Sequence, residues 1–217
     1  ADKTSVTKNE KVAYTVTVDI PTYSAEATDK SFYVADKLAD GLTLNTDSIK
    51  VQIKDGESST AVTAGTYTLD TTATDTYTFK LSVDTQKYTD NWSTYGGKQL
   101  VITYTATLNN NATTEVNVKE TNKATFDYSF YPYVENSHKQ KTDTVDVTTF
   151  AIKIDKYVAG SHATKLAKAK FDLYRTATDA EIAAGGTVTI PHTTINGIKL
   201  ESDLVTDNNG SATFTKY

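Results

Sequence analysis

The sequence predicts an all-β protein made of two tandem sandwich domains. Three observations carry this expectation. Fourteen Tyr, seven Phe and one Trp stand among abundant Thr and Val in 217 residues, and these side chains suit a pleated, half-buried surface. Apolar and polar residues alternate over short segments, which is the period of a strand. Polar turn signals such as Asp40-Gly41, Asp55-Gly56 and Asn109-Asn110-Asn111 separate those segments.

The first strand is expected where Val12, Tyr14, Val16 and Val18 share a face. Further strands are expected over 32–38, 49–53, 67–69, 77–83 and 100–108, the last with Leu100, Ile102, Tyr104, Ala106 and Leu108 facing one way. The run 122–133 is expected to be the longest strand. The polar stretch 135–144 after it reads as a linker or an exposed crossing. A domain boundary is therefore expected near residue 146, giving domains 1–146 and 147–217. The second domain shows alternation from Phe150 and again over 170–174, then a hairpin signal at Asp207-Asn208-Asn209-Gly210 before 211–214. Only 178–184 reads as a helix, with Thr178 or Asp179 as cap and Gly185-Gly186 as stop. A seven-stranded sandwich takes roughly 100 residues, so the second domain is expected to continue beyond Tyr217. The missing initial Met is likewise read as the mark of an internal piece.

Composition narrows the chemistry. The chain has no Cys, so disulfides and thiolate zinc sites are excluded. A net charge of -5 and a single arginine, Arg175, argue against a nucleic-acid surface. No apolar run approaches the roughly 20 residues of a membrane-spanning helix. His138, His162 and His192 have no partner at metal-ligand spacing and read as loop residues, so no metal or cofactor is expected. Asp207–Gly210 lacks the later glutamate of a calcium loop. The sequons at Asn91, Asn111 and Asn209 carry meaning only in a glycosylating secretory route. No nucleophile elbow, phosphate loop or paired-carboxylate constellation is present, and a turnover enzyme is not expected.

Strand parity places three polar groups on apolar faces. Asp36 shares its face with Phe32, Val34 and Leu38. Asn122 opens the face of Ala124, Phe126, Tyr128 and Phe130. Lys156 falls on the face of Phe150, Ile152, Ile154 and Val158. A lone buried charge costs several kcal/mol, so such groups pair, shift their pKa or reach for water. Two readings stay open: an inward ion pair or a snorkelling strand end, and a reactive set. In the reactive set, a protonated carboxyl polarises an Asn amide so that a neutral lysine attacks it, releasing ammonia and leaving an amide cross-link.

The strings EKVAYTVTVDIPTY and FYVADKLADGLTL, with ETNKATFDYSFYPY later in the chain, resemble the middle domain of sortase-assembled backbone pilins of Gram-positive bacteria. The string FAIKIDKYVAGSHATKLAKAKFDLY, followed by LVTDNNGSATF, resembles a collagen-adhesin B-type repeat. The resemblance implies two immunoglobulin-like sandwiches and a structural pilus subunit on the cell wall, linked to other pilin subunits by a sortase. It also implies that Asp36 is the acid promoting an isopeptide bond and Asn122 the acceptor. Lys3 best matches the family's reactive lysine, with Lys8 and Lys11 nearby as solvated alternatives. Lys156 matches the reactive lysine of the second repeat, with its partner expected beyond the chain end. The alternative is an adhesin or accessory pilin binding host matrix proteins, for which Trp92 and Tyr95 form the exposed-looking aromatic loop.

Overall fold

The computed structural model describes residues 4–5, 11–113, 119–148 and 151–214, and the chain divides into two units, Ala1–Thr149 and Phe150–Tyr217. Ten strands build the first unit: β1 (Thr4–Ser5), β2 (Lys11–Asp19), β3 (Phe32–Lys37), β4 (Leu42–Asp55), β5 (Ser58–Ala61), β6 (Thr68–Asp70), β7 (Phe79–Val83), β8 (Gln99–Leu108), β9 (Glu120–Ser129) and β10 (His138–Thr148). They form a six-stranded sheet in the order β1-β10-β9-β3-β7-β6 and a four-stranded sheet in the order β2-β8-β4-β5.

Alternation explains the core between these sheets. Along β8 the residues Leu100, Ile102, Tyr104, Ala106 and Leu108 are all buried, and β2 answers with Val12 and Tyr14 in antiparallel register. The opposite sheet supplies Phe32, Val34, Phe79, Leu81 and Val83. Each such side chain contributes about 1.5–3 kcal/mol when fully buried. Gly56, with φ of 59°, makes the tight turn between β4 and β5.

Several expectations need correction. The longest described strand is β4, which starts at Leu42 and passes a register irregularity between Asn45 and Lys50. β9 stops at Ser129 because Pro132 has no N–H for a ladder and the chain turns there, with Asn136 at φ of 60°. The segment expected as a linker is β10, paired with β9 along nearly its whole length. Its first seven residues are exposed, so no apolar alternation announces it. Trp92 is not an exposed loop residue. The helical turns Thr85–Lys87, Tyr88–Trp92 and Ser93–Tyr95 fold over the end of the core, bury Trp92 completely, and let its indole N–H donate to the Thr66 carbonyl at 2.7 Å.

The second unit holds β11 (Ile152–Asp155), β12 (Lys170–Thr176), β13 (Val188–Thr189), β14 (Asn196–Val205) and β15 (Ser211–Phe214). Its sheets are β11-β15 and β12-β14-β13. The turn over 207–210 forms, with the Gly210 N–H on the Asp207 carbonyl. β15 then leaves it to pair with β11 rather than closing a hairpin on β14. The helix α1 (Asp179–Ala184) carries a capping box between Thr178 and Glu181.

Candidate functional site

Asp36 and Asn122 meet inside the first unit. β3 lies between β7 and β9, and its register sets Asp36 opposite Phe79 on one side and Ala124 on the other. The Asp36 side chain is wholly enclosed and Asn122, two residues before Ala124 on β9, is 4% exposed. Tyr104 comes from β8 in the facing sheet and closes the group. Its hydroxyl donates to Asp36 Oδ2 at 2.7 Å and accepts from Asn122 Nδ2 at 2.7 Å, while Nδ2 also reaches Asp36 Oδ2 at 3.2 Å.

Burial is the main force on the acid. It pushes the Asp36 carboxyl up to about 6, against the opposing hydrogen bonds from Tyr104 and Asn122. Burial likewise drives the Tyr104 phenol far above its ordinary range, helped by the charge and hydrogen bond of Asp36, so it acts as a fixed neutral donor. Tyr14 stacks on Tyr104 with ring centroids 5.2 Å apart, and Phe79 meets Tyr104 edge-on at 5.0 Å. Tyr14 is also raised, first by burial and then by Asp36 and Glu120.

Three buried oxygens of this group, Asp36 Oδ1, Asn122 Oδ1 and the Tyr14 hydroxyl, have no hydrogen-bond partner among the described residues. Leaving a buried polar atom unsatisfied costs about 1–3 kcal/mol. A groove of about 640 Å³ runs past Tyr14 and Asn122, with β2 on one wall and Phe126, Lys141 and Val145 on the other. An amine is a donor of the size and kind that these oxygens lack.

Of the lysines named for this role, Lys3 and Lys8 lie outside the described residues. Lys11 is exposed on the face of β2 opposite Tyr14 and points away from the group. Lys156 does not point inward: it is exposed just past β11, and its face is open, with Ile152 42% and Val158 41% exposed. Among the described residues β11 pairs with β15 alone, and parity by itself could not place the amine in a core.

Sequence reading missed three polar residues. Tyr104 looked like any other inward aromatic, since its parity gives no sign of its hydroxyl partners. Glu120 is buried, accepting from the Gly41 N–H at 3.2 Å and the Thr113 N–H at 2.6 Å. A Cβ on Gly41 would stand 2.4 Å from the Glu120 carboxyl carbon, so Asp40-Gly41 is more than a turn signal. His138, expected in a loop, opens β10 with its ring between two carboxylates: Nδ1 faces Asp127 and Nε2 faces Asp29 at 2.9 Å. Burial disfavours the charged ring, yet the bonds to Asp127 and Asp29 outweigh it and raise the pKa. Ser31 Oγ stands 3.4 Å from Nε2, but it donates to Asp29 at 2.6 Å. Each ring nitrogen faces a carboxylate and the Ser31 hydroxyl is turned to Asp29, so the geometry is that of an electrostatic clip.

Among the described residues no group of three His, Cys, Asp or Glu side chains is placed to hold a metal, and no helix is long and apolar enough to cross a membrane. No protein-family model and no curated protein matches the sequence. Solved structures do. The T6 backbone pilin of serotype M6 Streptococcus pyogenes matches with a TM-score of 0.69 and 21% identity, covering 99% of this chain and 43% of that one. The pilus 2b backbone protein of group B streptococcus gives 0.67 and 23%, covering 99% and 78%. The 35 kDa C-terminal fragment of the Streptococcus agalactiae major pilin GBS80 gives 0.66 and 20%, covering 99% and 75%. The chain thus spans less than half of the T6 pilin. A β architecture shared over nearly its whole length with three such subunits gives this chain the fold of the Gram-positive backbone pilins.

Proposed function

We propose that the chain is a structural segment of a pilus shaft on a Gram-positive cell wall, joined to neighbouring subunits by a sortase, and that its first unit closes on itself through a Lys3–Asn122 isopeptide bond. The carrying observation is the set of three buried oxygens without a donor among the described residues, around an acid raised to about 6 and a fixed amide. Lys3 immediately precedes Thr4, whose backbone pairs with Val147 at the end of β10, and β10 lies beside the strand that carries Asn122.

The step balances without a co-reactant. A neutral Lys3 Nζ attacks Asn122 Cγ while the acid polarises the amide; the Nζ–Cγ bond forms and the Cγ–Nδ2 bond breaks. One proton passes from Nζ through Asp36 to Nδ2, which departs as ammonia. The site is consumed once, which suits a structural subunit and not a turnover enzyme. Trp92, one of the two aromatics on which a matrix-binding reading leans, is buried, and Tyr95 is half-buried.

Intact mass is the test. The folded chain should weigh about 17 Da less than its sequence, the mass of one ammonia, and Asp36→Ala should keep the full mass. A link closing roughly 120 residues removes unfolded-state entropy equivalent to about 4.9 kcal/mol. Lys3→Ala should therefore restore the full mass and lower the stability of the first unit by about that amount. A wild-type mass equal to the sequence mass overturns the cross-link.

A further inference from the structure

The cross-linking set contains one group for which no role has been assigned, the hydroxyl of Tyr104. Resting on the reading above, we propose that Tyr104 is the positioning residue of the reaction: it fixes which way the Asn122 amide faces and which oxygen of Asp36 carries the acidic proton.

Asn122 can sit in its pocket in either of two amide orientations. Tyr104 donates its only hydroxyl proton to Asp36 Oδ2 at 2.7 Å, so toward Asn122 it can only accept. The group of Asn122 that faces it at 2.7 Å is therefore the NH2, and the same nitrogen reaches Asp36 Oδ2 at 3.2 Å. The nitrogen that must leave is held beside the acid, and the carbonyl oxygen has no partner among the described residues. A phenol turned the other way would present a donor, and the amide would offer its oxygen instead.

The same bonds decide the acid. Asp36 Oδ2 accepts from both Tyr104 and Asn122, which occupies its lone pairs, so the proton of the neutral carboxyl belongs on Oδ1, the oxygen without a partner. Oδ1–H and the free Asn122 carbonyl are the two ends a polarising hydrogen bond needs. Tyr104 does not titrate in this scheme, since burial and the Asp36 charge keep it neutral. The surroundings that face it are Asp36 and Asn122 from the six-stranded sheet, Phe79 at its edge and Tyr14 on its face.

The test is Tyr104→Phe, which keeps the ring and its stacking and removes the oxygen. The full chain is translated in vitro, chased at a series of pH values and followed by intact mass. Loss of one buried hydrogen bond in the reacting group is expected to slow cross-linking by up to about tenfold. The acid-dependent limb of the pH–rate profile should also move to higher pH, because the Tyr104 bond holds Asp36 down. A merely structural role would change neither the rate of the folded fraction nor the position of that limb. Wild-type rate and profile in Tyr104→Phe overturn the proposal.

A second measurement needs neither the reaction nor the variant. In Lys3→Ala, which cannot form the link, both Asn122 side-chain hydrogens should be slow to exchange and resolved from the other Asn amides by NMR. Fast exchange of either overturns the proposed orientation. If the wild-type chain shows no ammonia loss, it is the cross-link that fails, and the exchange measurement still judges the orientation.

Discussion

The pH dependence of the uncross-linked unit isolates what enclosing Asp36 costs. The background is Lys3→Ala, so that no link masks the equilibrium, and the comparison is with the same chain carrying Asp36→Asn. In the folded unit the Asp36 carboxyl sits at about 6, against 3.8 for an ordinary aspartate. Between those values the folded state keeps a proton that the unfolded chain has released. Stability attributable to Asp36 is therefore fully present below pH 3.8 and is lost as pH rises through 6. A shift of roughly two units corresponds to about 3 kcal/mol. The Asp36→Asn chain has no such titration, so the stability difference between the two chains should shift by about 3 kcal/mol in its favour from pH 3.5 to pH 7. Urea unfolding followed by the fluorescence of Trp92 reads the first unit alone, because Trp92 is the only tryptophan and is wholly buried there. A difference between the chains that stays flat with pH would refute the reasoning, since it would mean that Asp36 ionises in the folded unit as easily as in the unfolded one.

The His138 clip titrates in the same direction, at higher pH, because its folded pKa is also raised. Its raised pKa means that the clip is at full strength below about pH 6.5 and weakens as pH climbs through the folded value. The stability advantage of wild type over His138→Gln should therefore shrink on going from pH 6 to pH 9; an advantage that does not change with pH assigns the ring a packing role only. Trp92→Ala removes a fully buried indole and its bond to the Thr66 carbonyl, and should lower stability by about 3–5 kcal/mol in thermal or urea melts. A loss under about 1 kcal/mol would place the indole outside the core.

Much of the fold was legible because one periodicity dominates it. β2 and β8 alternate, and each buries the face its parity marks, as β3 does with Phe32, Val34 and Asp36. The same parity pointed Asp36 and Asn122 inward, since a polar residue on an apolar face is visible in one dimension. β10 was illegible for the converse reason: its first seven residues are exposed, and backbone pairing with β9 holds it without an apolar stripe. Tyr104 and His138 were hidden for another reason. Their partners, Asp36 and Asn122 for one and Asp29 and Asp127 for the other, lie far off in sequence and meet only through sheet order and the packing of one sheet on the other. Lys156 shows the limit of parity, which names a face but not what covers it.

The placement of β1 beside β10 also decides how the first unit would answer tension. The two strands run parallel, one near the start of the unit and the other at its end. Traction on the two ends drags such strands lengthwise past each other, so their rungs strain together and do not unzip in turn. Among the described residues, Thr4–Val147 and Ser5–Thr148 make up that contact. The proposed tether to Asn122 would bypass this outermost seam and anchor the leading strand on β9, which is itself gripped between β10 and β3.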